Sequence, residues 1–195
     1  PSKTAVTNEK MQAPPPPVAA PKQIQDDAEI KQELLSITEN AGYKIFEGVR
    51  IEDVAFDYIA VSHKQIMLCL IENSDTDFVA NEKSLGDEAP SWFSPKYKKI
   101  SPIYQLSQAI KQIRELVDEV LPQNHGVKIT NRLILTKSNI VNFDELGTDL
   151  VESGVMISRY YQGRPNEIPK YEEILVDQES NPASESFAEF IKTMI

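Results

Sequence analysis

Apolar residues change their spacing several times along the chain, and each change marks an element. Asp26 and Asp27 supply a cap and first-turn acids, after which Ile30, Leu34, Ile37 and Ala41 recur at helical spacing until Gly42, predicting a first helix over 27–41. Tyr43-Lys44-Ile45-Phe46 opens a short strand, and residues 54–62 alternate under β-branched and aromatic side chains. Beyond the turn at Ser62-His63-Lys64, residues 65–73 carry a near-continuous apolar centre, the mark of a strand buried on both faces. Ser101-Pro102 then starts an amphipathic helix, and its stripe of Ile103, Leu106, Ile110, Ile113, Val117 and Val120 runs until Pro122. Residues 128–136 read as a fourth strand, 143–152 as a short helix and 155–159 as a fifth strand.

Three stretches break this order. Residues 1–25 hold six of the 13 prolines, including the run Pro14 to Pro17, and are expected to form a disordered arm or linker, in part polyproline II. The α/β domain is expected over 26–161, followed by an acidic extension, 162–195, with a terminal helix from Ser184 to Ile195. Residues 74–100 lose periodicity and predict a mobile loop, acidic in front (Asp75, Asp77, Glu82, Asp87, Glu88) and aromatic and basic behind.

Charge narrows the functional classes. With 20 Lys and Arg against 30 Asp and Glu, the net charge of −10 disfavours a general nucleic-acid coat, which needs positive surface for phosphates. The longest apolar run, Ile66 to Ile71, is six residues, far short of the roughly 20 that cross a bilayer. Neither a transmembrane helix nor a signal peptide is recognised, and a cytoplasmic setting is expected. The chain starts at Pro1, so what precedes it, a membrane anchor included, is left open. Cys69 reads as a small buried hydrophobe, and His63 and His125 as separated turn residues without zinc-ligand spacing.

Two acids stand out because each sits on an otherwise apolar strand: Asp57 and Glu72. If Ser62 faces Gln65, facing indices sum to 127, and Asp57 and Glu72 become diagonal neighbours about 5–8 Å apart on one face, close enough to share a divalent ion. A one-residue change of register would put them on opposite faces. The other reading of Asp57 is a strand-edge acid bonded to backbone or to Arg50, and of Glu72 an acid emerging into solvent.

The order helix-β-β-β-helix-β, Gly42-Tyr43 after the first helix, Phe56-Asp57-Tyr58-Ile59-Ala60-Val61, Leu70-Ile71-Glu72 and Ser101-Pro102-Ile103-Tyr104-Gln105 resemble the PD-(D/E)XK nuclease superfamily, nearest to its nuclease-related domain (NERD) group. The resemblance covers about residues 29–137 and implies a restriction-endonuclease-like α/β fold with a mixed central sheet. It implies Asp57 and Glu72 as ligands of Mg²⁺, Glu33 as the assisting helix acid and Gln105 as the glutamine near the site. The chain departs from the pattern where a lysine should follow the second acid: Ser74 stands there, with Lys83 the nearest replacement. Outside the resemblance, Glu33 reads as the exposed face of its helix, and Gln105 as a polar flank shared with Gln108 and Gln112.

The reading that follows is a non-catalytic protein-interaction or scaffold module, without a cofactor, in a larger and membrane-associated or soluble assembly. The alternative is a Mg²⁺-dependent nuclease. Trp92, Phe93, Lys96, Tyr97, Lys98 and Lys99 form the expected docking patch, for a protein in preference to nucleic acid, with Trp92 and Phe93 as anchors outside the core. Arg159-Tyr160-Tyr161 with Arg164 is a second basic-aromatic cluster.

Overall fold

The computed structural model describes residues 26–160 apart from 52, 63, 64, 84–87 and 122–125, together with Tyr171, Leu175, Glu189 and Lys192. The expected arm, both histidines, and Tyr161 and Arg164 of the second basic-aromatic cluster lie outside these residues, as do nearly all of the acidic extension and its terminal helix.

Helix α1 (Asp27–Asn40) begins where the Asp26 carboxylate accepts the Glu29 N–H at 2.8 Å, as the cap signal predicts. Strand β1 (Lys44–Phe46) follows, then a small hairpin of β2 (Arg50–Ile51) and β3 (Val54–Ala55), and the antiparallel pair β4 (Tyr58–Val61) and β5 (Gln65–Glu72). Residues 54–62 are therefore two strands instead of one, parted at Phe56-Asp57. After β6 (Asp77–Asn81), β7 (Ser91–Phe93) and β8 (Lys98–Ile100) comes α2 (Pro102–Val120), with Ser101 accepting the Tyr104 N–H and proline at the first turn. The chain continues through β9 (Lys128–Leu135), β10 (Asn139–Ile140), a 3₁₀ turn (Phe143–Leu146), α3 (Gly147–Ser153) and β11 (Val155–Arg159).

The architecture is mixed α/β. Five strands in the order β1-β4-β5-β9-β11 form the main sheet, antiparallel from β1 to β5 and parallel from β5 to β11. Covered on both faces, β5 can be apolar nearly throughout. Ile66, Leu68 and Leu133 pack on one face against Ile103, Leu106, Ile113 and Val117 of α2. On the other, Met67, Cys69 and Ile134 pack with Ile30 and Leu34 of α1 and with Tyr171. Tyr171 is tied in by its hydroxyl, which accepts from Tyr58 at 2.9 Å and lies 2.8 Å from Thr38 Oγ1.

The stretch 74–100 is the main correction to the expected layout. Far from an aperiodic loop, it supplies β6, β7 and β8, which with β10 make a second sheet in the order β10-β6-β7-β8. Its inward row is Phe78, Ala80 and Trp92, all buried, while Val79, Phe93 and Ile100 face out. Strands of three to five residues show one or two inward positions each, too few for alternation to stand out in the sequence. Trp92 is 0% exposed, its ring 5.4 Å from Phe78 and its indole N–H donating to Glu82 Oε1 at 2.6 Å. It belongs to the core instead of a docking surface. Trp92→Ala should therefore cost about 3–5 kcal/mol of stability, as for other buried aromatics, read as a lowered denaturation midpoint; an unchanged midpoint would contradict this packing.

Candidate functional site

The two acids occupy different surroundings. The hairpin has the register expected from the sequence, since Tyr58 pairs Cys69 and Val61 pairs Ile66, each pair of indices summing to 127. That register stops one residue short of Asp57. The Asp57 N–H donates to the Cys69 carbonyl at 3.1 Å, although Cys69 is already the partner of Tyr58, so two consecutive residues stand against one. This is the pattern of a β-bulge, which re-aims the extra side chain. Asp57 Oδ2 accepts the Ile71 N–H at 2.6 Å, taking an amide that the ended ladder leaves over. Desolvation raises the Asp57 pKa above the usual carboxylate value, against the lowering effects of that amide and of Lys31 on α1.

Glu72 lies at the far end of β5, buried, and alternation puts it with Leu70 on the α2 side. Both of its oxygens are engaged: Oε1 accepts the Ser74 N–H at 3.1 Å, and Oε2 pairs with the Lys99 ammonium. Lys99 reaches it from β8, its Nζ 4.5 Å from the centre of the Phe78 ring and 5.5 Å from that of Trp92, within the range of cation–π attraction. Burial pushes the Lys99 pKa down to about 8. Beside this pair lies a cleft of about 420 Å³ lined by Leu70, Ile71, Leu133, Ile100 and Pro102, with Glu72, Lys99 and Gln105 as its polar members. Asp57 is not among its lining residues.

Of the residues singled out from sequence, the cleft thus gathers Glu72, Gln105 and Lys99. Glu33 is half-buried on α1, the helix of the opposite face, and Lys83 is exposed, its N–H bonded to Asn81. Lys99, which sequence reading assigned to a docking patch, is the cation at Glu72. Of that patch, Phe93, Lys96, Tyr97 and Lys98 are exposed. Among the described residues, no group of three or more His, Cys, Asp or Glu side chains comes together.

Sequence reading missed Arg132, although a cation in mid-strand, directly before the apolar run Leu133-Ile134-Leu135, was a signal for it. The residue is 1% exposed, its guanidinium donating to Ser158 Oγ at 3.1 Å and reaching Met156 Sδ at 3.5 Å. Desolvation lowers its pKa. Glu82 was also passed over. Its carboxylate accepts from Trp92 and from the Ser101 hydroxyl, which joins the second sheet to the start of α2.

No family model, no curated protein and no solved structure matches the chain.

Two measurements follow from the acids. The raised Asp57 pKa means that the folded state holds its proton more tightly than the unfolded one, so this group's contribution to stability is largest in acid and falls as pH rises through the folded pKa. Asp57→Asn keeps an acceptor for the Ile71 amide without the buried charge, so at pH 7 it should melt at or above the parent temperature and lose that advantage below the carboxylate range. Asp57→Ala leaves the amide unpaired and should cost about 1–3 kcal/mol. For Lys99, NMR titration of labelled lysines should find one ammonium near pKa 8, and Glu72→Gln should move it lower, because the neutral side chain no longer favours the charged form.

Proposed function

We propose that the chain is a non-catalytic protein-interaction module, a component of a larger assembly, built on an α/β fold of restriction-endonuclease-like order. The order α1, β1, β4, β5, α2, β9 supports that likeness, with β1, β4 and β5 antiparallel and β9 parallel to β5.

One observation carries the non-catalytic reading. The acids that a nuclease would turn toward a shared metal are occupied separately, Asp57 by the Ile71 amide and Glu72 by Ser74 N–H and the Lys99 ammonium. A hard divalent ion binds through free carboxylate lone pairs that converge on one point. Here the bulge at Asp57 and the cation at Glu72 work against both conditions. The net charge of −10 adds a general repulsion toward a polyphosphate chain.

A second reading rests on Lys99. Its amine stands beside Glu72 in a cleft that also contains Gln105, which gives a nuclease a displaced cation where Ser74 replaces the lysine of the pattern. Calorimetric titration with Mg²⁺ and Mn²⁺, together with incubation of single- and double-stranded DNA, separates the two. The interaction module shows no metal site tighter than millimolar and no cleavage. Cleavage that Asp57→Ala, Glu72→Ala and Lys99→Ala each abolish would replace it with the nuclease.

A further inference from the structure

The hydrogen-bond phase of the second sheet decides which way its last strand offers its main chain. Ser94 N–H donates to the Tyr97 carbonyl at 3.0 Å, and Ser101 N–H to that of Pro90 at 2.8 Å. The register pairs Ser91 with Ile100, Trp92 with Lys99 and Phe93 with Lys98. In an antiparallel ladder, bonded and non-bonded pairs alternate, so the bonded rungs are 94/97, 92/99 and 90/101. The N–H and C=O groups of Lys98 and Ile100 therefore turn away from β7. No strand lies beyond β8 in the sheet order, and among the described residues this edge is open.

The side chains around the edge are equally directional. Lys99 and Ile100 of this edge strand line the cleft of about 420 Å³ together with Leu70 and Leu133 of the main sheet, so the open edge borders it. Phe93 and Ile100, 40% and 50% exposed, lie on the outward face beside the edge, while Tyr97, 42% exposed, falls on the inward face with its ring 5.9 Å from that of Phe78. Lys96 and Lys98 are exposed next to it, with the exposed Glu88 paired to Lys98 at 3.1 Å. Lysines on an edge strand oppose pairing with an identical strand, since like charges would then face each other, while they favour an acidic one.

We infer that the β8 edge is a docking site for an extended acidic segment of a partner protein, which adds as a strand beside Lys98 and Ile100 and places alternate apolar side chains in the cleft of Glu72, Lys99 and Gln105. The inference rests on the interaction-module reading and names its surface. Main-chain bonds to Lys98 and Ile100 hold the segment, the cleft selects its inward side chains, and Lys96 and Lys98 select its acids.

The probe is a capped eight-residue peptide of alternating Glu and Val, with a Lys-Val peptide as control, added to the full chain and followed by amide NMR and hydrogen exchange. The Glu-Val peptide should bind saturably and slow exchange at Lys98 and Ile100 at least tenfold, leaving Lys99 unchanged because its amide is already bonded within the sheet. Ile100→Pro removes one outward N–H without touching an internal bond, and should weaken binding at least tenfold at an unaltered melting temperature. Lys96→Glu with Lys98→Glu, both exposed, should do the same and transfer preference to the Lys-Val peptide. Binding that leaves the Lys98 and Ile100 amides unprotected, or that both variants leave intact, overturns the edge while keeping an interaction module. No binding of either peptide overturns it too, as does protection of these amides by a second copy alone. Metal-dependent DNA cleavage unaffected by Ile100→Pro would overturn the module reading independently of the peptide result.

Discussion

Drawing the Lys99 ammonium partly out of water costs desolvation, and groups from both sheets offset it. Glu72, from the main sheet, supplies the charge, while Phe78 and Trp92, from the second, supply ring faces. Neither sheet satisfies the lysine alone, so their relative position is tied to this junction. Beside it, Glu82 gathers the Trp92 indole and the Ser101 hydroxyl, and Ser101 caps α2. The second sheet, the end of β5 and the start of α2 are thereby held together within a few residues, and the cleft lies where the three meet.

This junction also determines what the cleft can do. The ion pair in its lining offers little net charge to a ligand, and the rest of the lining is largely apolar, so the cleft suits side chains better than phosphates. On the opposite face of the sheet the polar chemistry is of another kind. The hydroxyls of Tyr58, Tyr171 and Thr38 form a chain, and burial raises the Tyr58 and Tyr171 pKa values, so both stay protonated. Cys69, beside them, is pushed up to about 12 and remains an inert thiol. The cleft thus opens on the α2 side of the main sheet, while the α1 side closes the core.

The bulge at Asp57 separates two acids that the strand register alone would bring together. Through β4 the pairing follows the expected register, and on that register the two acids would be diagonal neighbours. One extra residue at the strand's start moves Asp57 out of the phase, and the same carboxylate then closes the ladder by taking the Ile71 amide. The hydrogen bond from Ser62 N–H to the Gln65 carbonyl fits the register at one end of the hairpin but has no hold on a bulge at the other end of the strand.

From sequence alone, the long elements were legible. α1, α2, β5, β9 and β11 lie within a residue or two of their expected bounds, because each repeats its burial pattern often enough for periodicity to identify it, or stands out as an apolar run covered on both faces. The caps at Asp26 and Ser101 were legible for the same local reason: donor and acceptor are three residues apart. The acids Asp57 and Glu72 were visible as exceptions to apolar strands, and Glu72 lines the cleft. Only the tertiary structure decided what each of them met. Lys99 lies 27 residues from Glu72, and nothing local distinguishes it from its neighbours Lys96 and Lys98, which stay exposed. The burial of Trp92 likewise depends on Phe78, Glu82 and α2 arriving together. Local spacing encodes which face of an element seeks the core; which distant side chain meets that face is settled by the packing of all the elements at once.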